Sequence, residues 1–161
     1  MGSPTPVAHR LIFAEVLQAV GDIKAAVVYY EQAAMTKISP PVVRYLAALA
    51  YLKMDLLERS TRVSQLLTRD RGGRLLGKII DALRLEQTDK PDEAVHALTE
   101  ALAVRGFSKW EYDEALLQLG RLHERRNDVH AALACYEKLS SDGLAHIDVV
   151  DRIRTLQNQP A

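Results

Sequence analysis

The strongest constraint on the fold of this chain is a segment of about 14 residues that occurs three times. The copies are residues 21–34, 89–102 and 127–139, and each begins with turn-forming residues and continues as an Ala-rich helical pattern. The first two copies start 68 residues apart, which corresponds to two units of about 34 residues, a length typical of stacked helical repeats. A degenerate copy is therefore expected near Asp55, and the 38-residue step to the last copy indicates a short insertion.

The rest of the chain favours helix as the only regular structure. Ala, Leu, Glu, Gln and Arg dominate, and no stretch alternates apolar and polar residues over the length of a strand. Turn-forming residues separate helical segments of about 10 to 16 residues, the length of short antiparallel helices. These breaks fall at residues 21–22, 39–41, 54–55, 71–73, 89–91, 105–106, 127–128 and 142–143.

The repeating pattern resembles the tetratricopeptide repeat, a helix-turn-helix unit that stacks into a superhelix and binds peptides or proteins on its concave face. The resemblance implies an all-α, right-handed superhelix of about four units, near residues 7–40, 41–74, 75–108 and 113–146. Residues 1–6 are then a leader that is either disordered or a remnant of cloning. Residues 147–161 form a capping helix and tail, since Ile147, Val150, Ile153 and Leu156 share one helical face.

Small residues occupy the positions where the two helices of each family repeat touch, because close helix packing requires them. The small positions are Ala14, Ala48, Ala82 and Gly120 in the first helices and Ala26, Ser60, Ala94 and Ala132 in the second helices. The large side chain that fills the groove between the helices is Tyr30, Leu98 and Tyr136, and the second unit has Ser64 there instead. The second unit is thus the most degenerate.

The resemblance assigns the concave wall to the first helices, and the residues there are apolar. They are Leu11, Ile12, Tyr45, Leu46, Leu49, Leu52, Leu76, Ile79, Ile80, Leu83 and Leu117. Relatives that clamp a C-terminal carboxylate use Lys, Arg and Asn at such positions, so a clamp of that kind is not expected. The wall is interpreted as a groove for an amphipathic helix or an apolar peptide, or as a surface for self-association. A tightly wound superhelix would instead make these residues core.

Charge is uneven along the chain although it sums to zero. Residues 1–80 hold 11 Lys and Arg against 6 Asp and Glu, whereas residues 81–161 hold 10 against 15. The positive charge concentrates on the second unit, at Arg59, Arg62, Arg69, Arg71, Arg74 and Lys78. This group, the basic patch, is either an anion, acidic-protein or lipid docking site or an ordinary solvated helix face.

Three aromatic residues, Phe107, Trp110 and Tyr112, lie in the insertion before the fourth unit. They are either a binding hot spot or a plug for the gap that the longer loop leaves. The lone Cys135 is interpreted as a small buried residue rather than a reactive thiol. No His pair has the spacing of a helical metal site, and no nucleophile or phosphate-binding motif is present, so no catalytic residue, metal or cofactor is expected.

Composition sets the remaining limits. A chain of 161 residues with 48% hydrophobic residues is a folded domain, and zero net charge disfavours nucleic acid as a partner. No apolar run is long enough to span a bilayer, and an intracellular, cytoplasmic location is expected. The sequence therefore predicts a non-enzymatic interaction module, such as an adaptor, scaffold or chaperone-like protein. Its partner is a peptide or amphipathic helix of another protein, or a second copy.

Overall fold

The computed structural model describes residues 6–141 and 147–158, and in this part of the chain the regular structure is entirely α-helical. The helices are α1 (Pro6–Ala19), α2 (Ile23–Ala34), α3 (Pro41–Lys53), α4 (Leu57–Arg69), α5 (Arg74–Gln87), α6 (Pro91–Ala103), α7 (Lys109–Arg125), α8 (Val129–Ser141) and α9 (Ile147–Gln157). The all-α fold built of helix-turn-helix units is thus confirmed. Of the predicted leader, Pro6 already begins α1; the break at 142–143 lies outside the described residues.

The four turns that join the helices of each repeat share one backbone conformation. Gly21, Asp55, Asp89 and Asn127 all have positive φ angles, between 58° and 87°. In each case the next residue donates its backbone N–H to a carbonyl five residues earlier, for example Leu56 to Tyr51 at 2.8 Å. This pattern satisfies the last carbonyls of the first helix and ends it sharply. Asp55, near which the degenerate copy is expected, has the same turn geometry as the other three residues.

The chain divides into two compact units, Met1–Arg84 and Leu85–Ala161, with the boundary inside α5. In the first unit α1 packs on α2 and α3, and α3 packs on α4. In the second unit α7 packs on α6 and α8, and α8 packs on α9. Below they are called the N-terminal unit and the C-terminal unit.

The positions predicted to pack each repeat are buried throughout. Ala14, Ala26, Ala48, Ser60, Ala82, Ala94 and Ala132 have no exposed surface, Gly120 is buried, and Tyr30, Leu98 and Tyr136 are at most 2% exposed. Small residues let the helix backbones approach, and the large side chain fills the groove beside them. The repeat pattern in the sequence therefore identifies the packing core.

The second repeat has a buried, hydrogen-bonded serine in place of the large packing residue. Ser64 Oγ donates to Asp81 Oδ1 at 2.7 Å and lies 3.3 Å from the Gly77 carbonyl oxygen. A Cβ atom at Gly77 would lie 2.6 Å from Thr68 Cγ2 and 3.0 Å from the Ser64 carbonyl oxygen. Helices α4 and α5 are therefore too close for a large side chain at position 64.

Helix α9 covers the last repeat, as predicted for a capping helix. Val149 and Leu156 are buried against a cluster that contains Leu116, Tyr136 and Leu139. Ile153 is partly buried at the edge of the same cluster. The side chain of Ile147 lies outside the described part.

Candidate interaction site

An open groove of about 480 Å³ lies in the N-terminal unit between α1 and α3. Its lining residues come from both first helices and from the packing residue of the first repeat. They are Glu15, Gln18, Ala19, Tyr30, Leu46, Leu49, Ala50 and Lys53. Leu46 is 38% exposed and Leu49 is half-buried, so apolar side chains are accessible in this groove. We call it the α1–α3 groove.

A buried tyrosine gives the groove a fixed floor. Tyr30 is 2% exposed, its hydroxyl donates to Gln18 Oε1 at 2.7 Å, and its ring meets Tyr51 edge-on at 6.0 Å. Burial, together with the negative charge of Glu15, raises the pKa of Tyr30 above its ordinary value of 10.0. The phenol therefore stays neutral at physiological pH and keeps Gln18 in place.

The groove carries one charge of each sign. Glu15 and Lys53 are both exposed, and neither forms an ion pair within the described residues. Unpaired charges at the edge of an apolar surface select a partner by its charge pattern more than they add affinity. The chemistry available here is recognition of an apolar segment that bears charges of its own.

The residues predicted to form the concave wall fall into two groups. Ile12 and Leu46 are exposed, and Leu49, Leu83 and Leu117 are half-buried. Leu11, Tyr45, Leu52, Leu76, Ile79 and Ile80 are instead buried, with exposures between 0% and 9%. For this second group the expectation of an apolar wall open to a partner is wrong, because these side chains are already covered by other residues of the same chain. For them the core interpretation applies.

Only Leu46 and Leu49 of that wall line the α1–α3 groove, and the prediction missed the other lining residues. The repeat offset of about 34 residues could have identified some of these missed residues. It relates Leu49 to Glu15 and Lys53 to Ala19, which are two of the three groove residues of α1. The prediction missed them because it gave apolar residue type more weight than repeat position.

The basic patch is partly neutralised. Arg59 Nη1 lies 2.6 Å from Glu31 Oε2, and Arg62 Nη1 lies 3.7 Å from Glu31 Oε1. The remaining members, Arg69, Arg71, Arg74 and Lys78, are exposed and form no ion pair within the described residues. They surround the turn between α4 and α5.

The three aromatic residues of the insertion also fall into two groups, here according to their burial. Phe107 and Tyr112 are half-buried, their rings meet edge-on at 5.8 Å, and the Tyr112 hydroxyl donates to the Val104 carbonyl. Trp110 is 44% exposed. Phe107 and Tyr112 therefore stabilise the loop before α7, whereas the indole ring of Trp110 is exposed to solvent.

The single thiol of the chain fits a structural role. Cys135 is buried, and burial raises the pKa of its thiol above 9.0, which makes the reactive thiolate scarce at neutral pH. No group of three or more His, Cys, Asp or Glu able to hold a metal ion occurs in residues 6–141 and 147–158. Within the same residues no helix combines the length and apolar character needed to cross a membrane.

Comparison with known proteins identifies the fourth repeat. The family model for the tetratricopeptide repeat matches residues 113–141, the region of α7 and α8. No curated protein matches this sequence.

Two solved structures are similar to this chain at low sequence identity. The crystal structure of MamA protein is similar with a TM-score of 0.52 and 16% identity, over 93% of this chain and 80% of that one. The crystal structure of a thermophilic TPR protein in Thermus thermophilus has a TM-score of 0.48 and 17% identity, over 95% of this chain and 100% of that one. The chain is therefore an all-α helical-repeat protein, and its residues 113–141 match the tetratricopeptide-repeat family.

Proposed function

We propose that this protein is an interaction module that binds an apolar segment of another protein in the α1–α3 groove. The observation that carries the proposal is the accessibility of Leu46, beside half-buried Leu49, in an open groove with a rigid floor. A partner helix with apolar side chains at positions i, i+3 and i+4 would place them against Leu46, Leu49 and Ala50. Each anchor that becomes fully buried contributes about 1.5–3 kcal/mol.

The charges of Glu15 and Lys53 set the expected specificity. A basic residue of the partner would pair with Glu15, and an acidic residue would pair with Lys53. Reversing either charge should therefore reverse the preference at one position of the bound segment and leave the apolar anchors unchanged.

Selection from a library of displayed helical peptides tests this function. Wild-type protein is the bait, and the selected peptides are then titrated against the wild type and the Leu46→Arg variant. Selected peptides should lose at least tenfold in affinity for Leu46→Arg, and peptides with a basic residue should also lose affinity for Glu15→Lys. Val42→Arg is the matched control, since Val42 is similarly exposed on α3, at 43% against 38% for Leu46, but does not line the groove.

Two results would contradict the proposal. One is a selection in which no peptide is enriched on the wild-type protein. The other is a set of peptides that bind Leu46→Arg and wild type equally. Circular dichroism of each variant verifies that the helices are intact.

A second candidate function is self-association through α1. Ile12, Phe13, Val16 and Val20 share one face of this helix and its end, and each is between 53% and 73% exposed. Such a stripe leaves roughly 300–500 Å² of apolar surface open, comparable to the largest apolar patch on a typical monomer, and patches of that size often have a function. Two copies that pair along α1 would cover both stripes at once.

Sedimentation over a range of concentrations distinguishes the two functions. Self-association predicts a dimer that dissociates in the Val16→Glu variant, while Lys24→Glu, an exposed change on α2, leaves the dimer intact. A wild-type protein that stays monomeric up to millimolar concentration would exclude this candidate.

A further inference from the structure

The C-terminal unit contains a second cavity, away from the residues of the α1–α3 groove in sequence. It has a volume of about 590 Å³ and opens between the end of α6, the loop 104–108, α7 and α8. This volume lies within the range of sites that bind small ligands or the anchor side chains of peptides, about 300–1,000 Å³. We call it the loop pocket.

The apolar wall of the loop pocket is already assembled. Leu102, Phe107, Tyr112 and Leu116 line it. The edge-on contact between Phe107 and Tyr112 and the hydrogen bond from Tyr112 to the Val104 carbonyl fix both rings. A wall that is held in place before binding costs little conformational entropy when a ligand enters.

The charges at the rim do not cancel. Lys109 Nζ lies 3.2 and 3.1 Å from the two carboxylate oxygens of Asp113, so these two lining residues neutralise each other. Lys138 also lines the pocket, is exposed, and forms no ion pair with a carboxylate of the described residues. Among the described residues, one positive charge therefore stands uncompensated beside an apolar cavity.

We propose that the loop pocket binds a peptide segment in which a bulky apolar side chain lies next to a carboxylate. The apolar side chain would enter between Leu102, Phe107 and Leu116, and the carboxylate would pair with Lys138. This combination matches the lining, because a neutral apolar ligand leaves the ammonium without a partner and a charged ligand without an apolar group leaves the cavity unfilled.

The chain contains its own reporter for this site. Trp110 is its single tryptophan, it is 44% exposed, and it is adjacent in sequence to the pocket residue Lys109. Its fluorescence therefore reports on the first turn of α7 without a label.

Titration of four short peptides tests the proposal. Three of them contain one leucine. In the first, a glutamate and a C-terminal amide follow the leucine; in the second, a glutamine and a C-terminal amide follow it. In the third, the leucine is the last residue and carries the free C-terminal carboxylate. The fourth has alanine before the glutamate. At least one peptide with leucine and a carboxylate should bind tenfold more tightly than both the glutamine and the alanine peptides. Comparison of the two carboxylate peptides shows whether the site takes a chain terminus or an acidic side chain.

Reversal of the charge at Lys138 provides a second test. Lys138→Glu should weaken binding of the carboxylate peptides at least tenfold, and Lys138→Gln should give an intermediate loss. Lys24→Glu, an exposed lysine of the N-terminal unit, is the matched control and should change nothing. Leu46→Arg should also leave this binding intact, which separates the loop pocket from the α1–α3 groove.

Three results would overturn the proposal. The first is the absence of saturable fluorescence and amide NMR shifts for all four peptides up to millimolar concentration. The second is that neither leucine peptide with a carboxylate binds more tightly than the glutamine peptide. The third is equal affinity of Lys138→Glu and Lys24→Glu. Because Lys138 is exposed, each variant is expected to fold, and circular dichroism verifies it.

Discussion

The ring of Tyr136 occupies the space that a side chain at position 120 would need. A Cβ atom on Gly120 would lie 2.5 Å from Tyr136 Cε1, closer than nonbonded carbon atoms approach. The ring cannot swing aside easily, because it is fully buried and its hydroxyl donates to Glu124 Oε2 at 2.7 Å. The contact between α7 and α8 therefore depends on the absence of a side chain at Gly120.

The first prediction is that Gly120→Ala destabilises the protein by about 1–3 kcal/mol, because the added methyl overpacks this contact. The loss should appear even though alanine favours helix over glycine by about 1 kcal/mol. Urea unfolding followed by circular dichroism measures it. Gly72→Ala is the control, since its Cβ would meet nothing closer than Pro41 Cγ at 3.7 Å. Equal stability of the two variants would contradict the prediction.

The second prediction concerns Ser64, where the family pattern has a large residue. Restoring that residue with Ser64→Leu should destabilise the protein, because Gly77 brings α5 close to α4 and no groove is left to fill. Ser64→Ala should cost less, about 1–2 kcal/mol, from the lost hydrogen bond to Asp81. Thermal melts of both variants give the order. A leucine variant as stable as wild type would show that the helices can move apart.

The third prediction separates two residues that the sequence pattern placed in one wall. Ile80→Arg should unfold the protein or lower its stability by several kcal/mol, because position 80 has no exposed surface and a buried charge has no partner there. Leu46→Arg should leave the melting temperature nearly unchanged, since 38% of this residue is exposed. Circular dichroism melts of the two variants decide the matter, and equal melting temperatures would contradict the assignment.

The fourth prediction is a loss of stability at alkaline pH. Burial, with the charge of Glu31, raises the pKa of Tyr51 from 10.0 to about 12. The folded state therefore holds the phenol proton more tightly than the unfolded state. The resulting contribution, on the order of 2–3 kcal/mol, is complete below about pH 10 and is lost as the pH rises through 12.

Urea unfolding at a series of alkaline pH values measures this dependence. Tyr51→Phe should show a smaller fall in the free energy of unfolding, because phenylalanine has no proton to lose. The pKa values of Tyr30 and Tyr136 are also raised by burial, so part of the dependence should remain. Identical curves for Tyr51→Phe and wild type would rule out the assignment to Tyr51.

Much of the fold could be predicted because its determinants are local in sequence. The turns at Gly21, Asp89 and Asn127 were identifiable because glycine, aspartate and asparagine are enriched in the left-handed conformation that these turns require. The packing positions followed from the same period, since a small residue and a large one recur at fixed distances from each turn.

The candidate site was harder to predict, because exposure depends on residues far away in sequence. Ile80 and Leu46 are both aliphatic residues of first helices, and only the packing of neighbouring helices makes one core and the other surface. The loop pocket depends on Lys138, which comes from α8, 26 residues beyond Tyr112 in α7. No period in the sequence relates these two positions, so only the folded chain brings them to one cavity.

The left-handed turns at Gly21, Asp55 and Asn127 also bear on how the chain folds. Each of them closes a hairpin of two helices that pack on each other and are adjacent in sequence, so the first contacts to form enclose short loops and cost little chain entropy. Folding can therefore start at any of these turns and spread to its neighbours. The reverse process lets a terminal hairpin open while the others stay folded, and hydrogen exchange would then proceed in steps, one hairpin at a time.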